Sequence, residues 1–215
     1  MKTKTVNLYQ FHELPEQMQD KVVSSLWDIN VDHYWWESVY DDFSRFARQL
    51  GVEADLRKIY FSGFYHQGHG SAFNGEVSVA TLIRCVAAGG PFEADPFTLE
   101  TVKVTAAMKR VAKLIDSGAI RWSSSVRSCR SMSVEVENCI QYMIDYSSDL
   151  GNLEAALTET ENLVSQVCTE LNRFLFKSLR TDFDYLTSKE AIIETILANE
   201  YYFTEHGKLE SHLGT

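Results

Sequence analysis

Apolar positions along the chain recur with two spacings, one helical and one alternating, and each predicts its own element. TVNLYQF, from Thr5 to Phe11, alternates loosely and predicts a short strand. Glu13-Leu14-Pro15-Glu16 then puts a proline in a first helical turn, and Met18, Val22, Val23 and Leu26 continue that helix to Asn30. A second helix is predicted from Asp32, because Trp36, Val39, Tyr40, Phe43, Phe46, Ala47 and Leu50 form one stripe that Gly51 ends. From Arg57 to Val79 the period changes. RKIYFSGFYHQGHGSAFNGEVSV places β-branched and aromatic residues around a glycine-rich centre, which predicts a hairpin or two adjacent strands.

Helical spacing returns from Thr98 to Ser117, with Gly118 as its stop. Ala119–Ser128 and Met132–Asn138 alternate as a second pair of strands. The longest helix follows, with Leu153, Ala156, Leu157, Val164, Val167, Cys168, Leu171, Leu175 and Leu179 on one face over about seven turns. Thr187 and Glu190 form a capping box for AIIETILA, Asn199 suits the helix exit, and YYFTEHGKL predicts a terminal strand with an exposed turn. Strands in the middle with helices on both sides predict an α+β fold: a mainly antiparallel sheet of about four to six strands, covered on one side by helices. A parallel βαβ array would need regular alternation, which the order lacks. Residues 1–215 are expected to form one domain. Its candidate hinge is 89–97, the segment GGPFEADPF, which holds two of the three prolines.

Charge changes the picture more than composition does. With 20 Lys and Arg against 30 Asp and Glu the formal charge is -10, which opposes non-specific attraction to a phosphate backbone. The charge is unevenly spread. Residues 10–55 hold ten acids and three bases, residues 101–130 seven bases and one acid, and residues 133–215 fifteen acids and five bases. The basic stretch is expected either to face the chain's own acids or to steer a charged partner. The acidic stretches suit a basic partner protein. No apolar stretch is long enough to span a membrane and MKTKTVNLYQ lacks the apolar core of a signal peptide, so the expected location is the cytoplasm. Cys85, Cys129, Cys139 and Cys168 form no C-x-x-C pair and are expected to be reduced and half-buried.

Two segments carry candidate chemistry. In YHQGHGSAF, His66 and His69 stand three residues apart beside Gln67, Gly68, Gly70 and Phe73, so two imidazoles would converge on a metal or an anion if the loop folds back. A retained metal needs three or four protein ligands, and neither H-E-x-x-H nor a cysteine cluster supplies the others. The competing expectation is a tight turn with glycines at positive φ and solvent-facing histidines. Phosphate-loop and dinucleotide glycine spacings are both missing. In the second segment, Glu37, Asp41 and Asp42 gather carboxylates on one helix, as an acid–base pair would need and as any solvated face also shows. Trp35 and Trp36 point about 100° apart on a helix, so only one lies at the centre of the buried stripe. The other, at the rim among Asp32, Glu37 and Asp41, has the composition of a protein-contact hot spot, or simply packs. Trp35, Glu37, Asp41 and Asp42 are therefore the candidate partner surface. Ser123, Ser124 and Ser125 have no local base, and no catalytic residue, metal or cofactor is assigned. Phe183, Tyr185, Tyr201, Tyr202 and Phe203 are expected to pack the last helix onto the body.

YQFHELPEQMQDKV, IYFSGFYHQGHGSAFNG and DYLTSKEAIIETILANEYYFTEHGKL, in this order, resemble a family of small phage and prophage proteins over almost the whole chain. Its members share a strand reading Phe-Ser-Gly-Phe-x-x-Gln-Gly-Asp-Gly-x-x-Phe-x-Gly and carry the labels hypothetical protein or antitoxin of a toxin–antitoxin stability system. Two positions depart from the pattern. His69 replaces the aspartate, and Trp122 to Arg127 replaces a histidine-rich Ser-His-Ser-Gly-His segment. Any ligand or metal that those polar groups hold in relatives is expected to be lost here, with Gln67, Gly68, Gly70, Phe73 and Gly75 kept as a structural frame.

The resemblance and the charge together predict a non-enzymatic phage or mobile-element protein acting in the host cytoplasm. It would bind and inhibit a bacterial effector, or a nucleoprotein defence complex of the restriction or CRISPR type, through its acidic surface. One alternative is a small-ligand or nucleotide-binding or -degrading protein with its site at the 66–73 turn. Another is an architectural subunit that forms a homodimer through the Leu153–Leu179 helix.

Overall fold

A computed structural model describes residues 6–90, 103–120, 122, 124–127, 133–136 and 150–210, with side chains throughout except at 124–127, 133–136, 150 and 151. Within these, β1 (Leu8–Gln10) leads through a 3-10 turn at Phe11–Glu13 to α1 (Glu16–Ser25). Then come α2 (Glu37–Gln49), β2 (Val52–Phe61), β3 (Ser71–Val77), α3 (Val79–Ala87), α4 (Ala106–Asp116), β4 (Ser124–Arg127) and β5 (Ser133–Val136). The long α5 (Leu150–Leu186), α6 (Lys189–Ala198) and β6 (Tyr202–Thr204) complete the order. The fold is α+β. A four-stranded antiparallel sheet runs β2-β3-β4-β5, and β1 pairs with β6 in a separate antiparallel ribbon. No helix among the described residues is long and apolar enough to cross a membrane.

The chain divides into two compact units. One comprises residues 1–36 and 180–215, the other residues 37–179. In the first, Phe11, Leu14, Val22, Val23, Ile192, Ile196 and Phe203 form the core. Gly207 is required there, since at φ +75 a Cβ would lie 2.8 Å from the Met18 sulfur. Asn30 donates to the Leu186 carbonyl at 3.0 Å and accepts from the Thr195 hydroxyl at 2.7 Å, which pins the segment after α1. That segment is turn, so α1 stops at Ser25 rather than Asn30 and α2 begins at Glu37 rather than Asp32. Phe203 is fully buried and Phe183, Tyr201 and Tyr202 are half-buried, while Tyr185 is exposed instead of packing.

The second unit is organised on α5. Leu163, Val164, Val167, Cys168, Leu171, Leu175 and Leu179 are at most 2% exposed, so this face of α5 is covered within the chain. Phe46 of α2 meets Phe174 at 4.7 Å between ring centroids, and Phe64, between β2 and β3, meets Phe176 at 5.6 Å. Val111 and Ile120 pack on Ala156 and Leu157 near the start of α5, with Trp122 beside them.

Several boundaries differ from the expectations for physical reasons. β2 starts at Val52, five residues before Arg57, because Gly51 at φ +76 turns the chain directly out of α2. Val79 belongs to α3, not to a strand. The run VATLIRCVA, rich in β-branched residues, buries Val79, Ala80, Leu82, Ile83 and Val86 at helical spacing, and the Ser78 N–H donates to the Gly51 carbonyl at 2.8 Å. α4 is capped by Thr105, whose hydroxyl accepts from the Met108 N–H at 3.2 Å, so it begins well after Thr98. α6 is capped by Ser188, not Thr187, because the Thr187 hydroxyl already donates to the Phe183 carbonyl at 2.7 Å. Residues 91–97 of the candidate hinge, 98–102 of the predicted helix, and Cys129, Cys139 and Ser123 lie outside the described residues.

Candidate functional site

α2 presents the acidic candidate residues on a well-fixed support. Val39, Tyr40, Phe43, Ser44, Phe46 and Ala47 are buried, and Glu37, Asp41, Asp42, Arg45 and Arg48 are exposed. Phe43 meets Phe73 of β3 at 5.0 Å, which ties the helix to the sheet. The three carboxylates are not equivalent. Asp42 is engaged by Arg45, whereas Glu37 and Asp41, one turn apart, form no ion pair among the described residues. Glu37 also sits in the first turn, where the helix dipole favours a negative charge. Burial pushes the Tyr40 hydroxyl up to about 12 from 10.0.

Trp35 does not join this surface as expected. It is buried, 9% exposed, with its ring 5.7 Å from Phe183 and 6.0 Å from Trp36. Tyr34 is the exposed aromatic of this segment, 70% exposed and edge-on to Trp36 at 5.4 Å. The helical phase that would have chosen between the two tryptophans does not apply, because both precede α2. Nothing in the spacing singled out Tyr34.

The turn from Ser62 to Gly70 is held from several sides. The Ser62 N–H donates to the Gly70 carbonyl at 3.1 Å and the Gly70 N–H donates to the Ser62 hydroxyl at 3.2 Å. Gly63 is at φ +98 with the His69 ring lying over it, 2.9 Å from where a Cβ would stand. The His66 N–H donates to His69 Nδ1 at 3.2 Å, and the two imidazoles meet edge to face at 5.1 Å. His69 is therefore half-buried and built into the turn rather than solvent-facing, while His66 is exposed. Phe73 is core, 1% exposed, and cannot touch a ligand. Just past the turn, Ser71 donates to Asn172 Oδ1 at 2.9 Å while Asn172 Nδ2 donates to the Ser71 carbonyl at 3.0 Å, fastening β3 to α5. Tyr65, His66 and Gln67 are the exposed side chains of the turn: one aromatic ring, one imidazole and one amide on a fixed backbone. Among the described residues no three His, Cys, Asp or Glu gather around a common point.

The glycines divide into two kinds. Gly75 stands opposite Ala54, and a Cβ there would be 2.4 Å from the Glu53 carbonyl oxygen. Gly68, at φ +90, keeps the left-handed conformation expected of it, with open space around it. Gly70 has neither positive φ nor anything within 4 Å of where a Cβ would stand, so its expected geometric role is absent. The two described thiols are poor nucleophile candidates: Cys168 is fully buried and pushed up to about 12 by desolvation, and burial also raises Cys85.

A family model described as a domain of unknown function, DUF8835, matches residues 35–189. The match runs from Trp35 to the first residue of α6 and includes α2, the 62–70 turn and α5. No curated protein and no solved structure matches the chain.

Gly75→Ala should destabilise the protein by about 1–3 kcal/mol, because backbone must move to admit the methyl, while Gly70→Ala should leave the denaturation midpoint unchanged. Equal effects of the two in urea unfolding would refute this distinction. Tyr40, raised in the folded state, favours folding below its unfolded value of 10.0, and that contribution is lost as pH rises through about 12. Alkaline melting curves of Tyr40→Phe should accordingly fall less steeply between these two values than those of the wild type.

Proposed function

We propose that this chain, which belongs to the DUF8835 family, acts by binding a basic bacterial effector or defence complex through the exposed acidic face of α2. The supporting observation is the pair Glu37 and Asp41: two carboxylates one helical turn apart, outside any ion pair among the described residues, on a helix whose opposite face is buried. Carboxylates so held can satisfy arginine and lysine side chains that otherwise hold phosphates. Such a protein would occupy the phosphate-binding surface of its target without transforming a substrate. Its setting would be that of a phage or mobile-element antitoxin or an inhibitor of restriction or CRISPR machinery, in the host cytoplasm, as the resemblance implies. Exposed charges contribute about 0.2–1 kcal/mol each to affinity but raise the encounter rate strongly at low salt.

A second use of the molecule, small-ligand or nucleotide binding at the 66–73 turn, is favoured by the exposure of Tyr65, His66 and Gln67 on a fixed backbone. The two are separated by different measurements. Tagged wild-type chain should retain a basic nucleic-acid-handling protein from a bacterial lysate. Glu37→Lys with Asp41→Lys should then slow association with that protein at least tenfold at low salt; an unchanged rate removes α2 from the interface. A thermal-shift screen with nucleotides should show no rise in Tm, and a rise that Tyr65→Ala and Gln67→Ala abolish would favour the turn instead.

A further inference from the structure

The acidic surface leaves one charged element unexplained. α4 carries Lys109, Arg110 and Lys113, all exposed, and Lys103 is exposed just before its cap. At about 100° per residue the three helical cations share an arc of about 100°, opposite the buried row of Met108, Val111 and Ala112. Among the other described cations seven are matched, while Lys21, Arg48, Lys177 and Lys208, scattered over different elements, form no ion pair there. Arg45 pairs with Asp42, Arg57 and Lys58 with Asp55, Arg84 with Asp116, Arg173 with Glu170, Arg180 with Asp184 and Lys189 with Asp20. Lys103, Lys109, Arg110 and Lys113 form no ion pair among the described residues. The one acid of α4, Asp116, is taken by Arg84 at 2.6 Å, and Glu159 accepts from the Thr105 hydroxyl at the other end of the helix. Among the described residues these four cations are therefore not matched by acids of the chain.

We propose that this face of α4 binds the phosphate backbone of duplex nucleic acid, independently of base sequence. Two observations choose this occupant over an acidic protein. The face consists of cations on flexible stems, and none of the large exposed apolar side chains, among them Trp27, Tyr34, Leu56, Tyr60 and Tyr65, lies on α4. A protein partner is held by buried aromatic or apolar anchors, whereas a phosphate backbone needs only charge at close spacing. The formal charge of -10 opposes the contact, but at physiological salt a Debye length of about 8 Å largely screens the acids that lie farther than that from the face. This proposal does not rest on the acidic face of α2, and either can fail alone.

The test is fluorescence anisotropy of a labelled duplex of about 20 base pairs, of arbitrary sequence, titrated with the full chain between about 25 and 200 mM salt. Three phosphate contacts give a slope of log affinity on log salt of about -3. Replacing Lys109, Arg110 and Lys113 together by Gln should weaken binding at least tenfold at about 50 mM salt and flatten that slope, with the circular dichroism spectrum unchanged. Absence of salt-dependent binding in the wild type, equal binding by a folded variant, or competition by polyglutamate as effective as by unlabelled duplex would each overturn the proposal. Polyglutamate competition of that strength would assign the face to an acidic protein.

Discussion

The row of leucine, valine and cysteine side chains along α5 has to leave water, and the elements that cover it are the ones that carry every candidate surface. Each fully buried Leu, Ile or Val side chain contributes about 1.5–3 kcal/mol over exposure, so the six such positions along this row outweigh any single polar contact in the larger unit. α2 reaches α5 through Phe46, the 62–70 turn through Phe64, β3 through Ser71, α4 through Val111, and the segment just after α4 through Ile120. The acidic helix, the aromatic turn and the basic helix are thus three outward faces of elements whose inward faces share one support.

Polar geometry then decides what each face can offer. The 62–70 turn shows this best, because its own hydrogen bonds use one histidine and leave the other. His69 Nδ1 accepts from the His66 backbone and its ring covers Gly63, so the sequence pair His66 and His69 becomes one structural and one available imidazole. On α2 the same division separates Asp42, matched to Arg45, from Glu37 and Asp41. On α4 Asp116 is matched to Arg84, whereas Lys109, Arg110 and Lys113 form no ion pair among the described residues. Opposite charges are therefore displayed on different helices of one unit instead of cancelling locally.

Long periodic stretches made much of this legible before any coordinates. The apolar stripe of α2 and the row on α5 appear in the sequence because a face buried on one side repeats at helical spacing over several turns. The hairpin of β2 and β3 was legible from its glycine-rich centre. α3 was not, since nine residues rich in Val, Ile and Thr fit either period; helical hydrogen bonds such as Leu82 N–H to the Ser78 carbonyl at 2.9 Å, with burial at helical spacing, make it a helix. The exposure of Trp35 and Tyr34 was equally illegible: both lie in an irregular segment before α2, where no period relates sequence to direction. The basic character of residues 101–130 could be counted, but whether those charges were matched depended on which acids folding brought near.

β2 is the outermost strand in the order of the four-stranded sheet, and its middle is irregular: the residues between Ala54 and Ile59 face only Asn74 on β3. There the Arg57 N–H donates to the Asp55 carboxylate at 3.1 Å, and Lys58 joins the same carboxylate at 3.3 Å. Burial acts to raise that carboxyl, and the hydrogen bonds from Arg57 and Lys58 outweigh it and hold it below its usual value. A ten-residue rim strand with a straight backbone would template the addition of foreign strands. This one is kinked and charged where a newcomer would have to align, and one of its amides is already satisfied by its own side chain, so the rim resists polymerisation into extended sheets.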